Sequence, residues 1–212
     1  MQSLLAACLV TAFLLVNGVA TAHAELNTWK FRVLLDEREI GSHQFTLRSS
    51  GEERELRSEA RFDVRFLFVS LYRYRHEATE RLNGDCLQSL ISNTETNGKN
   101  QSVRANVRGS RLVVERPEKR DEHPGCIMSF AYWNPRILDA KLLLNSQTGE
   151  LLPVTVSSQG EEIIKVRGKR VTAQRHRLRA AKMTIDLWYA DNEWVALESP
   201  TEGGRHLRYV LL

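Results

Sequence analysis

Hydrophobic and polar residues alternate along much of this chain. Between Leu56 and Phe68, apolar or small residues occupy every second position, and charged residues fill most of the positions between them. An extended strand places two such sets on opposite faces, whereas a helix would distribute both around its circumference. The segment is therefore predicted to be a strand with one buried face and one solvated face.

The same period recurs along the rest of the chain between turn signals. Asn83-Gly84 and Asn97-Gly98 are flanked by strand-like runs, which is a strong hairpin signal. The other runs with strand character are 29–33, 45–47, 72–78, 103–107, 111–115, 154–156, 163–166, 171–179, 183–189, 194–197 and 207–211. Closely spaced short strands of this kind predict a mainly β protein, built as an antiparallel sheet or an open half-barrel.

Two segments depart from the alternation. Asn134-Pro135 supplies a helix N-cap and a proline at the first helical position, and the apolar side is formed by Ile137, Leu138, Leu142 and Leu144. We expect one short helix from about residue 135 to 142, covering the open end or one face of the sheet. The charged segment 116–124 is expected to be a solvated loop.

The first 24 residues have the character of a signal peptide. The apolar stretch from Leu4 to Val16 has the length of a signal h-region, and Ala22 and Ala24 are small residues where a signal peptidase reads. The alternative is a membrane anchor, but the run is short for a hydrocarbon core of ~30 Å. We expect a signal-peptide helix over 1–24, cleavage after Ala24, and a periplasmic or secreted mature chain of residues 25–212.

Composition limits the class of protein. Of 212 residues, 42% are hydrophobic and 26% charged, and the formal net charge is +4. These values are typical of a folded globular chain and argue against disorder or a polytopic membrane protein. The mature segment is long enough for one core, and no Pro-, Gly- or Ser-rich linker divides it, so a single β-rich domain is predicted.

Cys86 and Cys126 are the cysteines of the predicted mature chain. Exported proteins fold in an oxidising compartment, where a structural disulfide is the simplest interpretation. Two buried free thiols are the alternative, because sequence alone does not show that the two Cα atoms approach each other.

No motif points to a reaction, a metal or a cofactor. The chain contains neither a GxSxG serine elbow nor an HExxH metal motif, and its histidines are scattered. We therefore predict no catalytic residue, no metal site and no cofactor, and a protein that is not an enzyme. No nucleic-acid-binding module is recognisable, so nucleic acid is not an expected partner.

A basic run is the first candidate binding feature. Arg175, Arg177 and Arg179 would share one face of a strand, and this face could meet anionic lipid headgroups. The alternative is a solvated face whose charge is balanced by acids on neighbouring strands.

The aromatic residues are the second candidate feature. They are grouped beside the predicted helix and around a predicted turn, and they are Tyr132, Trp133, Trp188, Tyr189 and Trp194. Aromatic side chains on a half-open sheet can line a site for an apolar ligand. Ordinary core packing is the alternative for each of them.

Several runs of sequence resemble an uncharacterised family of exported bacterial proteins, a domain of unknown function. They include 31–33, 41–43, 129–135 after Cys126, 144–150, 186–189, 194–199 and 204–211. The resemblance covers nearly the whole mature chain and implies no activity or site residue. The strand order is also similar, more remotely, to half-barrels with a helical lid that carry outer-membrane lipoproteins, although fold does not define function.

These observations favour a periplasmic binding or carrier module for an apolar or lipid-like ligand, held in a groove between sheet and helix. The first alternative is a cell-envelope scaffold without a small ligand, which binds a protein partner through a sheet edge. The second is a hydrolase of unknown substrate, which would need a nucleophile within hydrogen-bond reach of a base. Contact with a membrane surface, without spanning it, is a further expectation.

Overall fold

The computed structural model describes residues 24–66, 69–181, 183–201 and 203–212. Fifteen strands in these residues form one sheet, in the order β8-β7-β6-β5-β4-β3-β2-β1-β15-β14-β13-β12-β11-β10-β9. The strands are β1 Glu25–Leu35, β2 Arg38–Ser50, β3 Glu53–Phe66, β4 Val69–Asn83, β5 Cys86–Thr96, β6 Lys99–Arg108, β7 Arg111–Arg116, β8 Lys119–Pro124, β9 Met128–Ser129, β10 Leu142–Leu144, β11 Leu151–Val166, β12 Lys169–Ala180, β13 Met183–Ala190, β14 Glu193–Pro200 and β15 His206–Leu211. Strands β8 and β9 are the two edges, so the sheet is not closed. The predicted mainly β, open half-barrel class is confirmed.

Period-two alternation determines which face of each strand meets the core. On β1, Phe31 and Val33 are buried while Lys30 and Arg32 are exposed. On β3, Leu56 and Ala60 are buried, and the charged residues between them are exposed. Positions 66 and 68 of the predicted alternation lie outside the side chains that the structure describes.

The hairpins follow the turn dipeptides. Asn97 and Gly98 form the two-residue loop between β5 and β6, with φ angles of 50° and 80°. Positive φ at both loop positions matches the right-handed twist of the flanking strands. The charged segment 116–124, expected as a loop, instead contains β8, which pairs with β7. That expectation was wrong because cross-strand hydrogen bonding can accommodate charged side chains on an edge strand.

A strap, residues 125–150, crosses the core face of the sheet. Its apolar side chains Ile137, Leu143 and Leu144 are completely buried. Cys126 at its start forms a disulfide with Cys86 on β5, with a Cα–Cα distance of 4.8 Å, so the predicted bridge is confirmed. The amide of Leu87 also donates to the carbonyl of Ile127 at 2.8 Å. The strap is therefore joined to β5 by covalent and backbone bonds.

The short helix in the strap is smaller than expected. It is a 3₁₀ helix over Pro135–Asp139, and the predicted end at Leu142 is already the start of β10. The Asn134 side chain accepts from the Arg136 amide, as predicted for an N-cap, but the backbone bonds run from Ile137 to Asn134 and from Ala140 to Ile137. These i→i+3 bonds form one tight turn, which is the usual extent of a 3₁₀ segment.

Gly41 permits a close approach of β2 to β3. A Cβ at this position would lie 1.9 Å from the Arg61 carbonyl oxygen, and its φ is +152°. We expect Gly41→Ala to lower the free energy of unfolding by about 2 kcal/mol or more, because neighbouring backbone must move.

Gly109→Ala is the matched control. The φ of Gly109 is +61° and no atom lies near the new Cβ, so only backbone strain of about 1–2 kcal/mol is expected. Chemical denaturation of both variants measures the difference, and equal losses would contradict the close-approach argument.

The predicted signal peptide, apart from exposed Ala24, lies outside the described residues. Within the described ranges, no helix has the length and apolar character needed to cross a membrane.

Candidate functional site

The β11–β12 hairpin extends beyond the end of β13, the strand that pairs with β12. Strand β12 pairs with β13 only from Gln174 to Ala180, so the tip of the hairpin has no partner strand there. Gly160, with φ +90°, lies at a register shift in β11, where the strand can change direction. Glu162 then accepts a hydrogen bond from Trp188 Nε1 at 2.9 Å, and Arg167 Nε donates to the Leu212 carbonyl at 3.1 Å. The tip of the hairpin therefore lies against the outer face of the sheet.

A half-open cavity of about 790 Å³ separates the hairpin tip from the outer faces of β1, β14 and β15. We call it the outer groove. Its residues are Arg32, Leu34, Glu37, Glu162, Ile164, Lys165, Arg167, Gly168, Trp188, Val195, Ala196, Leu197, Glu198, Arg208, Tyr209, Val210, Leu211 and Leu212. The volume lies within the range of small-molecule sites.

The floor of the outer groove is apolar because of strand alternation. Val33, Tyr209 and Leu211 point to the core, so Leu34 and Val210 point outwards. Ala196 pairs with Val210 across β14 and β15, and these small side chains leave space beneath the hairpin. This site was not among the predictions from the sequence, although the period-two pattern contained its signal: apolar residues stand at outward positions where charged residues are usual.

Charged residues surround the floor in internal ion pairs. Arg208 contacts Glu37 at 2.9 Å and Glu198 at 3.3 Å. Arg32 lies 3.5 Å from Glu39, and Arg167 lies 3.2 Å from Glu193. The groove therefore combines an apolar floor with polar anchoring groups, as sites for amphipathic molecules do.

Acids on neighbouring strands neutralise most of the positive charge of the predicted basic face. Asp186 accepts from Arg175 at 2.7 Å and from Arg177 at 2.7 and 2.8 Å, and Glu162 accepts from Arg175 at 2.7 Å. Burial alone would raise the pKa of Asp186, but the hydrogen bonds from Arg177 and Arg175 outweigh it and lower this pKa. Arg179 is exposed and has no ion pair with a described residue. This arrangement corresponds to the alternative in which acids on neighbouring strands balance the charge of the basic run.

The five predicted aromatic residues do not form one site. Trp188 lies on the outer face, lines the outer groove and has the Arg175 guanidinium 5.1 Å from its ring centroid. The other four pack on the core side. Tyr189 donates to the Tyr132 carbonyl at 2.7 Å, Trp133 contacts Trp29, and Trp194 is 0% exposed.

A polar cluster lies on the core face beside these aromatics. His43 Nε2 is 2.7 Å from Ser58 Oγ, and His43 Nδ1 is 3.1 Å from the Tyr209 hydroxyl. His76 Nδ1 is 2.8 Å from Thr94 Oγ1. Burial lowers the pKa of His43 well below its ordinary value and that of His76 to about 4. Both imidazoles are therefore neutral at pH 7 and act as hydrogen-bonding links between strands.

No three acidic, histidine or cysteine side chains in the described ranges are grouped so that they could hold a metal ion. Each carboxylate that lines the outer groove has a cationic partner, and the floor between these groups is apolar. The outer groove therefore presents an apolar surface bordered by ionised side chains.

Together these features define a half-barrel whose core face is filled and whose outer face carries a groove. Residues 31–212 match a family described as a domain of unknown function, DUF6134, and the chain belongs to this family. The resemblance to an uncharacterised domain family is thereby confirmed. No curated protein sequence matches the chain.

Among solved structures, the chain is similar to the crystal structure of a beta-barrel-like protein of domain of unknown function DUF1849 from Brucella abortus. The identity is 10%, the TM-score is 0.64, and the match covers 87% of this chain and 95% of that chain. This similarity concerns the fold.

Proposed function

We propose that the mature protein is a non-enzymatic binding module of the periplasm that holds an apolar or lipid-like ligand in the outer groove. The observation that carries the proposal is the cavity of about 790 Å³, with an apolar floor beneath the β11–β12 hairpin. Concave, mostly apolar sites with a few polar groups are the usual form of small-molecule sites.

The position of the groove differs from the expectation. The groove was expected between sheet and helix, but the strap fills that space with the fully buried side chains of Ile137, Leu143 and Leu144. The correction has a packing reason: the strap has to bury its own apolar residues, and the core face of the sheet accommodates them.

Export is supported by two independent features. The first 24 residues have the pattern of a signal peptide. The Cys86–Cys126 disulfide is compatible with an oxidising compartment. A periplasmic location follows as part of the proposal.

The scaffold alternative has one supporting observation, the filled core face. Its expected mode was pairing through a sheet edge, and the edges are poorly suited to this. Strand β9 has two residues, and β8 has the sequence KRDEHP. Short strands, charges and proline are features that prevent edge pairing. The hydrolase alternative has the Ser58–His43 contact, but neither residue lines the outer groove.

Filling the groove tests the proposal. Wild type purified without delipidation should carry a lipid-like molecule, detected by mass spectrometry of its organic extract. Ala196→Trp places a large side chain on the floor and should reduce the retained amount about tenfold or more, while the melting temperature stays close to that of wild type. Ile91→Trp is the control, because Ile91 is 56% exposed on β5 and lies outside the groove. No enrichment in wild type over an unrelated periplasmic protein, or equal retention in Ala196→Trp, would overturn the proposal.

A further inference from the structure

We infer that the occupant of the outer groove is a single-chain amphiphile whose head group carries one negative charge. This inference rests on the proposed function and specifies its ligand class. Three features of the groove carry it: its size and shape, the pairing of its carboxylates, and the absence of an acidic partner for Lys165 among the described residues.

The shape of the groove suits one apolar chain with an exposed end. The cavity of about 790 Å³ is half-open, and its apolar floor runs between the hairpin tip and the sheet. A chain lying on Leu34, Ala196 and Val210 would leave its head at the charged rim. Burial of the chain provides the non-specific part of the binding free energy.

Every carboxylate that lines the groove already has a cation. Glu37 contacts Arg208 at 2.9 Å, and Glu162 contacts Arg175 at 2.7 Å. Glu198 contacts Arg208 at 3.3 Å and His206 at 3.2 Å. A cationic head group would have to compete with these internal partners, so the groove disfavours it.

One cation that lines the groove has no acidic partner within the described ranges. Arg208 pairs with Glu37 and Glu198, and Arg167 pairs with Glu193. Lys165 also lines the groove but has no ion-pair partner among the described residues, and the partner of Arg32 is Glu39, whose side chain is 61% exposed. An anionic head at this rim pairs with Lys165 and forms charge-assisted hydrogen bonds, which are stronger than neutral ones.

Displacement of a fluorescent apolar probe by amphiphiles of equal chain length tests the inference. The four competitors are myristate, myristoyl-lysophosphatidylglycerol, myristoyl-lysophosphatidylcholine and tetradecyltrimethylammonium. We expect the two anionic competitors to bind about tenfold more tightly than the zwitterionic one, and the cationic one to bind most weakly. The preference should decrease at high salt, because the rim is accessible to solvent.

Charge variants test which residues cause the preference for an anionic head group. Arg32→Gln together with Lys165→Gln should bring the affinities of lysophosphatidylglycerol and lysophosphatidylcholine within about twofold of each other. Arg104→Gln with Arg108→Gln is the matched control: it removes the same charge from β6, outside the groove, and should leave the tenfold preference in place.

The outcomes separate the two proposals. If none of the four competitors displaces the probe, or if Ala196→Trp binds them as wild type does, the proposed function and this inference both fail. If all four bind wild type equally and Ala196→Trp blocks them, the groove binds apolar chains but the inferred head-group charge is wrong. If the anionic competitors are preferred, as we expect, the tighter of myristate and lysophosphatidylglycerol identifies a carboxylate or a phosphodiester as the anionic source.

Discussion

Replacing Cys86 or Cys126 by serine is expected to lower the free energy of unfolding by about 2–5 kcal/mol. The bridge spans a sequence separation of 40 residues, for which the chain-entropy model gives about 4 kcal/mol. The double variant should lose little more than either single variant, because all three lack the same bond and such coupled changes are not additive. Urea denaturation of the oxidised chain from Glu25 onward measures these losses.

Two controls accompany the cysteine variants. Reduction of wild type should reproduce the loss seen in the double variant, and the double variant should not respond to reductant. Denatured, unreduced protein should contain no titratable thiol. Two titratable thiols per chain, or additive losses in the double variant, would show that the cysteines act separately.

A pH-dependent stability difference of about 3 kcal/mol is expected between wild type and Glu80→Gln. Glu80 is 5% exposed on the core face of β4, where it accepts a hydrogen bond from Ser129 of the strap at 2.5 Å. Burial raises the pKa of Glu80 from 4.5 to about 7, and the Ser129 hydroxyl opposes this shift only in part. A shift of this size corresponds to about 3 kcal/mol between protonation states.

The sign of the effect follows from linkage. Because the pKa is higher in the folded protein than in the unfolded chain, the folded state binds more protons between these two values. The contribution of Glu80 to stability is therefore complete below pH 4.5 and is lost as the pH rises through about 7. Glutamine mimics the neutral acid, so Glu80→Gln should gain stability relative to wild type as the pH rises from 4.5 to 8.

Glu77→Gln is the matched control for this titration. Glu77 lies on the same strand with its side chain exposed, 4.0 Å from Arg61, and exposed pairs contribute little. Its stability relative to wild type should change by less than about 1 kcal/mol over the same pH range. A flat difference for Glu80→Gln as well would contradict the burial of an ionisable carboxyl beneath the strap.

The buried carboxyl of Glu80 and parts of the outer groove could have been recognised in the sequence. Glu80 continues the alternation of Tyr74, His76 and Ala78, which marks it as a polar residue on a buried face. Ala196 and Val210 are apolar at outward positions of β14 and β15. Neither residue type is unusual in a strand, so the signal emerges only once neighbouring strands are aligned.

The aromatic residues show why the rest of the site could not be predicted from the sequence. Trp188 and Tyr189 are adjacent in the chain, and strand geometry places adjacent side chains on opposite faces. One lines the outer groove and the other packs against Tyr132 in the core. Proximity in sequence favoured a shared site, but the pleat separates the two residues.

Local pattern determined much of this protein. Alternation determined the strands and their buried faces, the Asn97-Gly98 dipeptide determined a hairpin, and Asn134-Pro135 determined where the helical turn of the strap begins. These features depend on residues within a few positions of one another, so the chain specifies them directly. Tertiary structure decided the approach of Cys126 to Cys86, the filling of the core face by the strap, and the bend that lays the β11–β12 hairpin over β14 and β15. Each of these depends on how distant apolar surfaces are buried together, and no local period encodes that pairing.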